Sequence, residues 1–553
     1  MKYENLLDET GGFGRFQICI VILINLPGII TPWHFLLNNF IAAIPSHRCN
    51  FLAKENDSIF GNLTEDQKTV VHIPLEPSGS VSSCKMFLEP QFALLKNISS
   101  EAENASSATI TDCHYGWTYD TSKFSSTIAT EWDLVCDKKG LNQATATFFF
   151  IGVMLGAVVF GYLSDKFGRK TMLLVSYILS FIFGLASAFS VSYVMFVILR
   201  FLTGMSFVGI SIISIVLCIE WVDIKHRTLV GVFGSMAWTT GCVLLALIAY
   251  LIRDWRWLLL AVTFPLLIAC VIWCWIPESG RWYLVNGKMN EAHKCLIKCT
   301  QVNKGKNFRS RITPEMLATV VKLEEKSKNY TYWDLVRTPK LRRISACTGI
   351  VWFGVAFTYY GLSLNISGLG VSIYMTQFIY GAIEVPSKCF VYLILDRIGR
   401  RRCQAWTLIF TGTCIAINMF IPTGKQITRT VIAILGKFFS EASFSIVFLY
   451  TTELFPTVIR QNGMGFTSFM ARLGVAVAPL VILLEDVWRL LPPIVFSSIA
   501  VLSALVAFLL PETQNIRLPE TIEDVEQTRK VSTESTEQDV IALKPLNCDF
   551  KQN

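Results

Sequence analysis

The chain has 553 residues, of which 52% are apolar and only 16% charged, with a formal charge of +8 and a mean hydropathy of +0.47. Soluble domains carry about 25% charged residues, so this balance excludes an ordinary cytosolic enzyme, a disordered chain and a small disulfide-built secreted protein. The basic excess is small and lies in short loops between apolar runs, which gives no reason to expect nucleic acid. A polytopic membrane protein remains.

A hydrocarbon core of about 30 Å needs roughly 20 apolar helical residues. Runs of that kind occur at 16–46, 140–164, 171–199, 201–219, 228–252 and 257–277. In the second half 344–383 is free of charge but interrupted by Gly361, Asn365, Gly368 and Gly370, so it reads as two helices and a turn. Runs at 403–424, near 430–452, near 461–484 and at 490–511 bring the expected total to twelve. The first run follows Glu4, Asp8 and Glu9 and has no cleavage site, so it is expected to stay as a span rather than act as a signal.

The loop 278–343 holds fifteen Lys/Arg against six Asp/Glu, and short basic clusters recur at Lys166, Arg169 and Lys170 and at Arg397, Arg400, Arg401 and Arg402. The positive-inside rule then predicts cytoplasmic termini. The division expected is a cytoplasmic N-terminus 1–15, a six-helix half 16–277 containing an extracellular loop 47–139, a cytoplasmic linker 278–343, a second half 344–511 and a cytoplasmic tail 512–553 expected to be disordered. The outer loop carries four glycosylation sequons, at Asn56, Asn62, Asn97 and Asn104. It also carries Cys49, Cys84, Cys113 and Cys136, an even number that predicts two disulfides with three possible pairings. The sequence offers no metal site, no cofactor motif and no phosphate-binding Gly-rich loop.

The chain repeats itself. Asp165-Lys-Phe-Gly168-Arg169 returns as Asp396-Arg-Ile-Gly399-Arg400; Glu220 and Arg227 return as Glu453 and Arg460; Pro277-Glu278-Ser279 returns as Pro511-Glu512-Thr513. The offsets are 231, 233 and 234 residues, each after an even-numbered span. An all-α protein with two parallel six-helix halves follows, the architecture of the major facilitator transporters, with a site between the halves at mid-membrane. The repeated charges are expected to cap helix ends, pair within their own half and act in gating.

Charges inside spans are costly. Glu384 with Lys388 and Lys437 with Glu441 are each spaced four apart, so each pair is expected to neutralise itself along one helix. Arg472 has no acid within four residues. It must face the bundle, where its planar fork suits a carboxylate or phosphate, unless it pairs with Glu384 or Glu441 across the interface.

The run Gly161–Lys170 resembles the major facilitator loop signature. The glycosylated outer loop, Ser125–Cys136 and Pro277-Glu-Ser-Gly-Arg-Trp282 resemble solute carrier family 22, the organic ion transporters. Phe16, Trp33–Leu37, Arg253–Ala261 and Tyr359–Ser363 look most like its anion-transporting members. The resemblance implies exchange or facilitated diffusion of small organic anions across the plasma membrane, a dicarboxylate being a possible counter-substrate. It also implies substrate-binding roles for Arg472, Lys388, Trp238, Trp352, Tyr359, Tyr360 and Phe444. Phe35 departs from the pattern: some anion transporters have Asn there. An organic cation or zwitterion transporter on the same scaffold is the alternative. A sugar porter shares the Pro-Glu-Ser motif, but the long outer loop counts against it.

Overall fold

The structure is a computed structural model. It describes residues 6–7, 9–51, 63–76, 80–96, 109–305, 316–317, 331–364, 371–422, 424–456, 458–514, 519 and 521–527. Among these lie twelve helical spans: α1 Arg15–Ile41, α2 Cys136–Phe167, α3 Arg169–Ala188, α4 Tyr193–Trp221, α5 Leu229–Leu251, α6 Trp255–Trp273, α7 Pro339–Leu364, α8 Ile373–Ile398, α9 Arg400–Phe420, α10 Gln426–Leu454, α11 Arg460–Glu485 and α12 Leu491–Phe508.

One boundary differs from the sequence expectation. The runs 171–199 and 201–219 place a break at Arg200, yet it lies inside α4 and is 1% exposed. The break falls earlier, where Ser192 caps the new helix by accepting from Met195 N at 3.3 Å. Arg200 is tolerated because its guanidinium stacks on Phe149, 4.5 Å from the ring centroid, and donates to His34 O at 3.3 Å. That carbonyl belongs to α1, which is discontinuous: Arg15–Gly28, Thr31–Leu36 and Asn38–Ile41, with Pro27 and Pro32 near the breaks.

The segment between α1 and α2 forms a small domain on one face of the bundle. In it β1 (His47–Cys49) pairs with β4 (Trp117–Tyr119) and β2 (Lys85–Phe87) with β3 (Ile110–Asp112), all antiparallel. Among the described residues its apolar cluster is Cys49, Phe51, Ile73 and Met86, with Cys113 packed against it. A core this small needs covalent support, and disulfides Cys49–Cys113 and Cys84–Cys136 supply it, one of the three pairings the sequence left open. His47 approaches Cys136 Sγ at 4.0 Å, but the disulfides leave no thiolate there for a metal. All four sequon asparagines lie outside the described residues. The domain is fastened to α6, where Trp255 Nε1 donates to Glu131 Oε2 at 2.7 Å and Arg256 pairs with the same carboxylate.

On this loop face the two halves touch. Asn39 donates to Ser363 O at 2.8 Å, and Tyr374 of α8 stacks on Phe40 of α1 with centroids 5.7 Å apart. On the opposite, linker face, the helix Met289–Lys304 binds the N-terminal segment: Phe16 N donates to Asn303 Oδ1 at 2.9 Å and Gln17 Nε2 to Cys299 Sγ at 3.3 Å. The tail is not wholly without structure, because Ile522–Gln527 forms a short helix. It packs Ile522 and Val525 against the core that includes Leu335 and Leu341, while Glu526 accepts from Lys340 N at 3.0 Å.

Candidate functional site

Four charged side chains meet where α8 and α10 face α5 and α7. Glu384 and Lys388 pair along α8 at 3.6 Å as the spacing predicts. Lys437 and Glu441 do not pair along α10; each turns to α8 instead. Lys437 Nζ lies 3.8 Å from Glu384 Oε1, and Glu441 Oε1 lies 3.5 Å from Lys388 Nζ. A buried ion pair stands only if its remaining lone pairs and protons are also satisfied. Glu384, 1% exposed, meets that condition by accepting from Tyr359 Oη at 2.7 Å and Thr239 Oγ1 at 2.8 Å. Lys437, also 1% exposed, donates to Ser363 Oγ at 2.7 Å and lies over the Tyr359 ring. The four formal charges cancel.

Arg472 stands apart. It is half-buried and donates Nη1 to Ser468 O at 3.0 Å and to the Ser468 hydroxyl, with no ion pair among the described residues. Pairing with Glu384 or Glu441 is not what the structure shows, because those carboxylates are held by the two lysines. Among the described residues Arg472 therefore has no carboxylate partner, and its neighbour Ala471 packs on the cluster of Phe149, Phe150, Tyr359 and Tyr360.

The five aromatic residues named from sequence lie in one chain of rings that crosses between the halves. Trp238 meets Phe35 (5.7 Å between centroids), Phe35 meets Phe150 (5.9 Å), Phe150 meets Tyr360 (5.4 Å), Tyr360 meets Tyr359 (5.2 Å), Tyr359 meets Phe444 (5.1 Å) and Phe444 meets Trp352 (6.0 Å). Sequence reasoning did not supply Phe150, and it treated Phe35 only as a lost polar contact. The structure makes Phe35 the joint between α1, α2 and α5. Beside the chain lies a cavity of about 10 Å³, bordered by Leu36, Cys242, Tyr359, Glu384 and Lys437, room for roughly one water.

The repeated motifs build two matching clamps on the linker face. In the first, Arg169 bridges Asp165 (2.7 Å) and Glu220 (3.3 Å). In the second, Arg400 bridges Asp396 (3.0 Å) and Glu453 (3.2 Å). Arg460 donates instead to Phe455 O at 3.3 Å, and Arg227 begins the helical run into α5. Two further residues complete the clamps. Glu278 accepts from the backbone N–H groups of Arg169 and Lys170, both at 3.0 Å, and Glu512 does the same for Arg400 (2.8 Å) and Arg401 (3.2 Å). Each carboxylate thus caps the positive end of the next helix. Their signal in the sequence was the third repeat, which was used for architecture only. Gly168 and Gly399 carry φ of 104° and 97°, values that L side chains rarely adopt. A Cβ at Gly168 would stand 2.5 Å from Glu278 Oε2.

The family described as "Sugar (and other) transporter" matches residues 87–524. Solute carrier family 22 member 7 of Bos taurus is 47% identical over 551 residues, 99% of this chain and 100% of the relative. The Homo sapiens protein of that name is 48% identical over 555 residues, again 99% and 100%. Solute carrier family 22 member 6-B of Xenopus laevis is 40% identical, covering 96% of each chain. In three dimensions the chain is similar to the inward open conformation of the xylose transporter XylE from E. coli, with a TM-score of 0.56 and 16% identity over 92% of this chain and 99% of that one. That last likeness concerns the fold alone.

Twelve spans in two like-oriented halves define a multi-pass transporter of the major facilitator class, not an enzyme. The full-length identity goes further: the chain belongs to solute carrier family 22.

Proposed function

We propose that the protein carries small organic anions across the plasma membrane by alternating access, as exchange or facilitated diffusion, with both termini cytoplasmic. One observation carries the reading: the four charges between α8 and α10 cancel, and Arg472 is left over. Arg472 and Lys388 attract the anionic group. Trp238, Trp352, Tyr359, Tyr360 and Phe444 hold the organic body by contact area rather than by fixed hydrogen bonds, which suits varied flat substrates. The two clamps, Asp165, Gly168, Arg169 and Glu220 with Arg227, and Asp396, Gly399, Arg400 and Glu453 with Arg460, control how the halves move. The kinship with solute carrier family 22 members 7 and 6-B supports transport of a solute, whichever its charge.

An organic cation or zwitterion is the second reading, favoured by the presence of Glu384 and Glu441 in the same cluster. Both carboxylates are already engaged by lysines, which weighs against it. Uptake of labelled benzoate and of benzylamine, similar in size and opposite in charge, by cells expressing the protein separates the two. Benzoate uptake that exceeds the control, with benzylamine at background, is the expected result; the reverse overturns the anion reading. Loading the cells with a dicarboxylate beforehand tests exchange, because an exchanger then takes up more benzoate.

A further inference from the structure

Two bonds of the charged cluster cross between the halves through a single hydroxyl. Thr239, on α5 of the N-terminal half, is 4% exposed. Its Oγ1 donates to Glu384 Oε2 at 2.8 Å and accepts from Lys388 Nζ at 2.7 Å, both on α8 of the other half. Lys388 Nζ also donates to Ser235 O, one turn earlier on α5, at 3.3 Å. An ammonium has three protons. Lys388 already has four acceptors within reach: Thr239, Ser235, Glu384 and Glu441. An incoming anion therefore cannot be added to this lysine; it must displace something.

The acceptors are unequal. Taking the lysine from a buried carboxylate strands a charge, whereas taking it from a neutral acceptor leaves only an unsatisfied hydrogen bond, the smaller cost. The two glutamates are charged, and the Thr239 hydroxyl and Ser235 carbonyl are neutral. The neutral pair yields first, and both of its members belong to α5. We propose that Thr239 is a latch between the halves that the arriving anion itself opens. The substrate carboxylate accepts the Lys388 hydrogen bond that Thr239 now accepts, the hold of α8 on α5 weakens, and the loop face, still joined by Asn39 to Ser363 and Phe40 to Tyr374, parts more readily. The cavity bordered by Glu384 and Lys437, of about 10 Å³, holds about one water and not a substrate. The latch rests on the anion reading of Lys388 given above, and it adds a positioning residue that couples occupancy to movement.

Cys242 provides a native reporter. It lies one turn beyond Thr239, borders the central cavity and is 1% exposed. In intact cells an impermeant methanethiosulfonate should label it slowly in the wild-type protein and faster when benzoate is present. Thr239→Val removes both bonds. It should label about tenfold faster without benzoate, the factor expected for losing a hydrogen bond to a charged group, and benzoate should add nothing. Thr239→Ser keeps the hydroxyl and should behave as wild type, while Cys242→Ala reports the background. Thr239→Ala removes the same bonds with less bulk and serves if the valine variant fails to reach the surface. Labelling of Thr239→Val at the wild-type rate, or acceleration by benzoate equal to that in wild type, overturns the latch. Benzoate uptake by the wild-type protein distinguishes the two levels: its absence defeats the anion reading, whereas uptake with unchanged labelling in the variants defeats the latch alone.

Discussion

Lys388 stands between two carboxylates, 3.6 Å from Glu384 on its own helix and 3.5 Å from Glu441 on α10. With Lys437 reaching back to Glu384, the four groups form a chain, Lys437–Glu384–Lys388–Glu441, that ties α8 to α10 rather than two independent pairs. Each lysine is therefore structural for the C-terminal half as well as a source of positive potential.

That dual role predicts a non-additive pair. Removing one partner of a buried ion pair costs about 3–5 kcal/mol, because it strands a charge. Lys437→Met should reduce the folded protein at the cell surface sharply. Combining it with Glu384→Gln should recover part of the loss, a coupling that a double-mutant cycle of surface protein and thermal stability reads out. Strictly additive effects would show that the Lys437–Glu384 contact contributes nothing.

Arg472 should behave differently, since it has no carboxylate to strand. A charge-assisted contact to an anionic substrate contributes about 1.5–3 kcal/mol, so Arg472→Ala should weaken anion affinity about ten- to a hundredfold. Arg472→Lys keeps the charge without the planar fork and should fall between. Neutral substrates held by Trp352, Tyr360 and Phe444 should suffer less. Concentration-dependent uptake normalised to surface protein makes the comparison; equal losses for both substrates would assign Arg472 a purely structural part.

The clamps should affect turnover more than affinity, because they lie on the linker face away from the central cluster. Glu278→Gln or Glu512→Gln weakens the cap on α3 or α9 and should lower the maximal rate with KM little changed. Asp165→Asn should be milder, its side chain being exposed at 72%. A collapse of affinity at normal turnover would sink the gating role.

Orientation is open to direct labelling. Ile110 in β3 is 52% exposed on the loop face, and Val302 on the linker helix is 47% exposed on the other. Ile110→Cys should react with an impermeant maleimide on intact cells and Val302→Cys should not. The loop-domain cysteines are in disulfides, and burial pushes the Cys295 thiol up to about 11, which keeps it protonated and unreactive; Cys19, Cys274 and Cys389 are free and exposed, so each variant is read against the untagged protein. Labelling of Val302→Cys alone would invert the topology.

Much of the architecture was legible because a bilayer demands long apolar helices and a duplicated half repeats its punctuation. The twelve spans and the paired Asp-x-x-Gly-Arg turns needed little beyond counting. Arg200 misled because a charge in an apolar run reads as a boundary, and the Phe149 ring that accommodates it lies some fifty residues away. Lys437 and Glu441 misled for a related reason: helical spacing states which partners are near along one helix, not which lie nearer on the next. Thr239 left no mark at all, since a threonine in a span is ordinary until its hydroxyl is seen between Glu384 and Lys388. Glu278 and Glu512 were visible as a repeat, but their task depends on the backbone N–H groups of a helix more than a hundred residues away in sequence.

The two disulfides are interleaved: Cys84 lies inside the span closed by Cys49 and Cys113, and its partner Cys136 lies outside it. Any single cut between residues 49 and 136 therefore crosses at least one bridge. A protease that nicks the exposed loop of the living cell's transporter leaves α1 chained to the remaining eleven spans. The cleaved molecule migrates intact on a denaturing gel until reductant is added, and the helix that carries Phe35 is not shed.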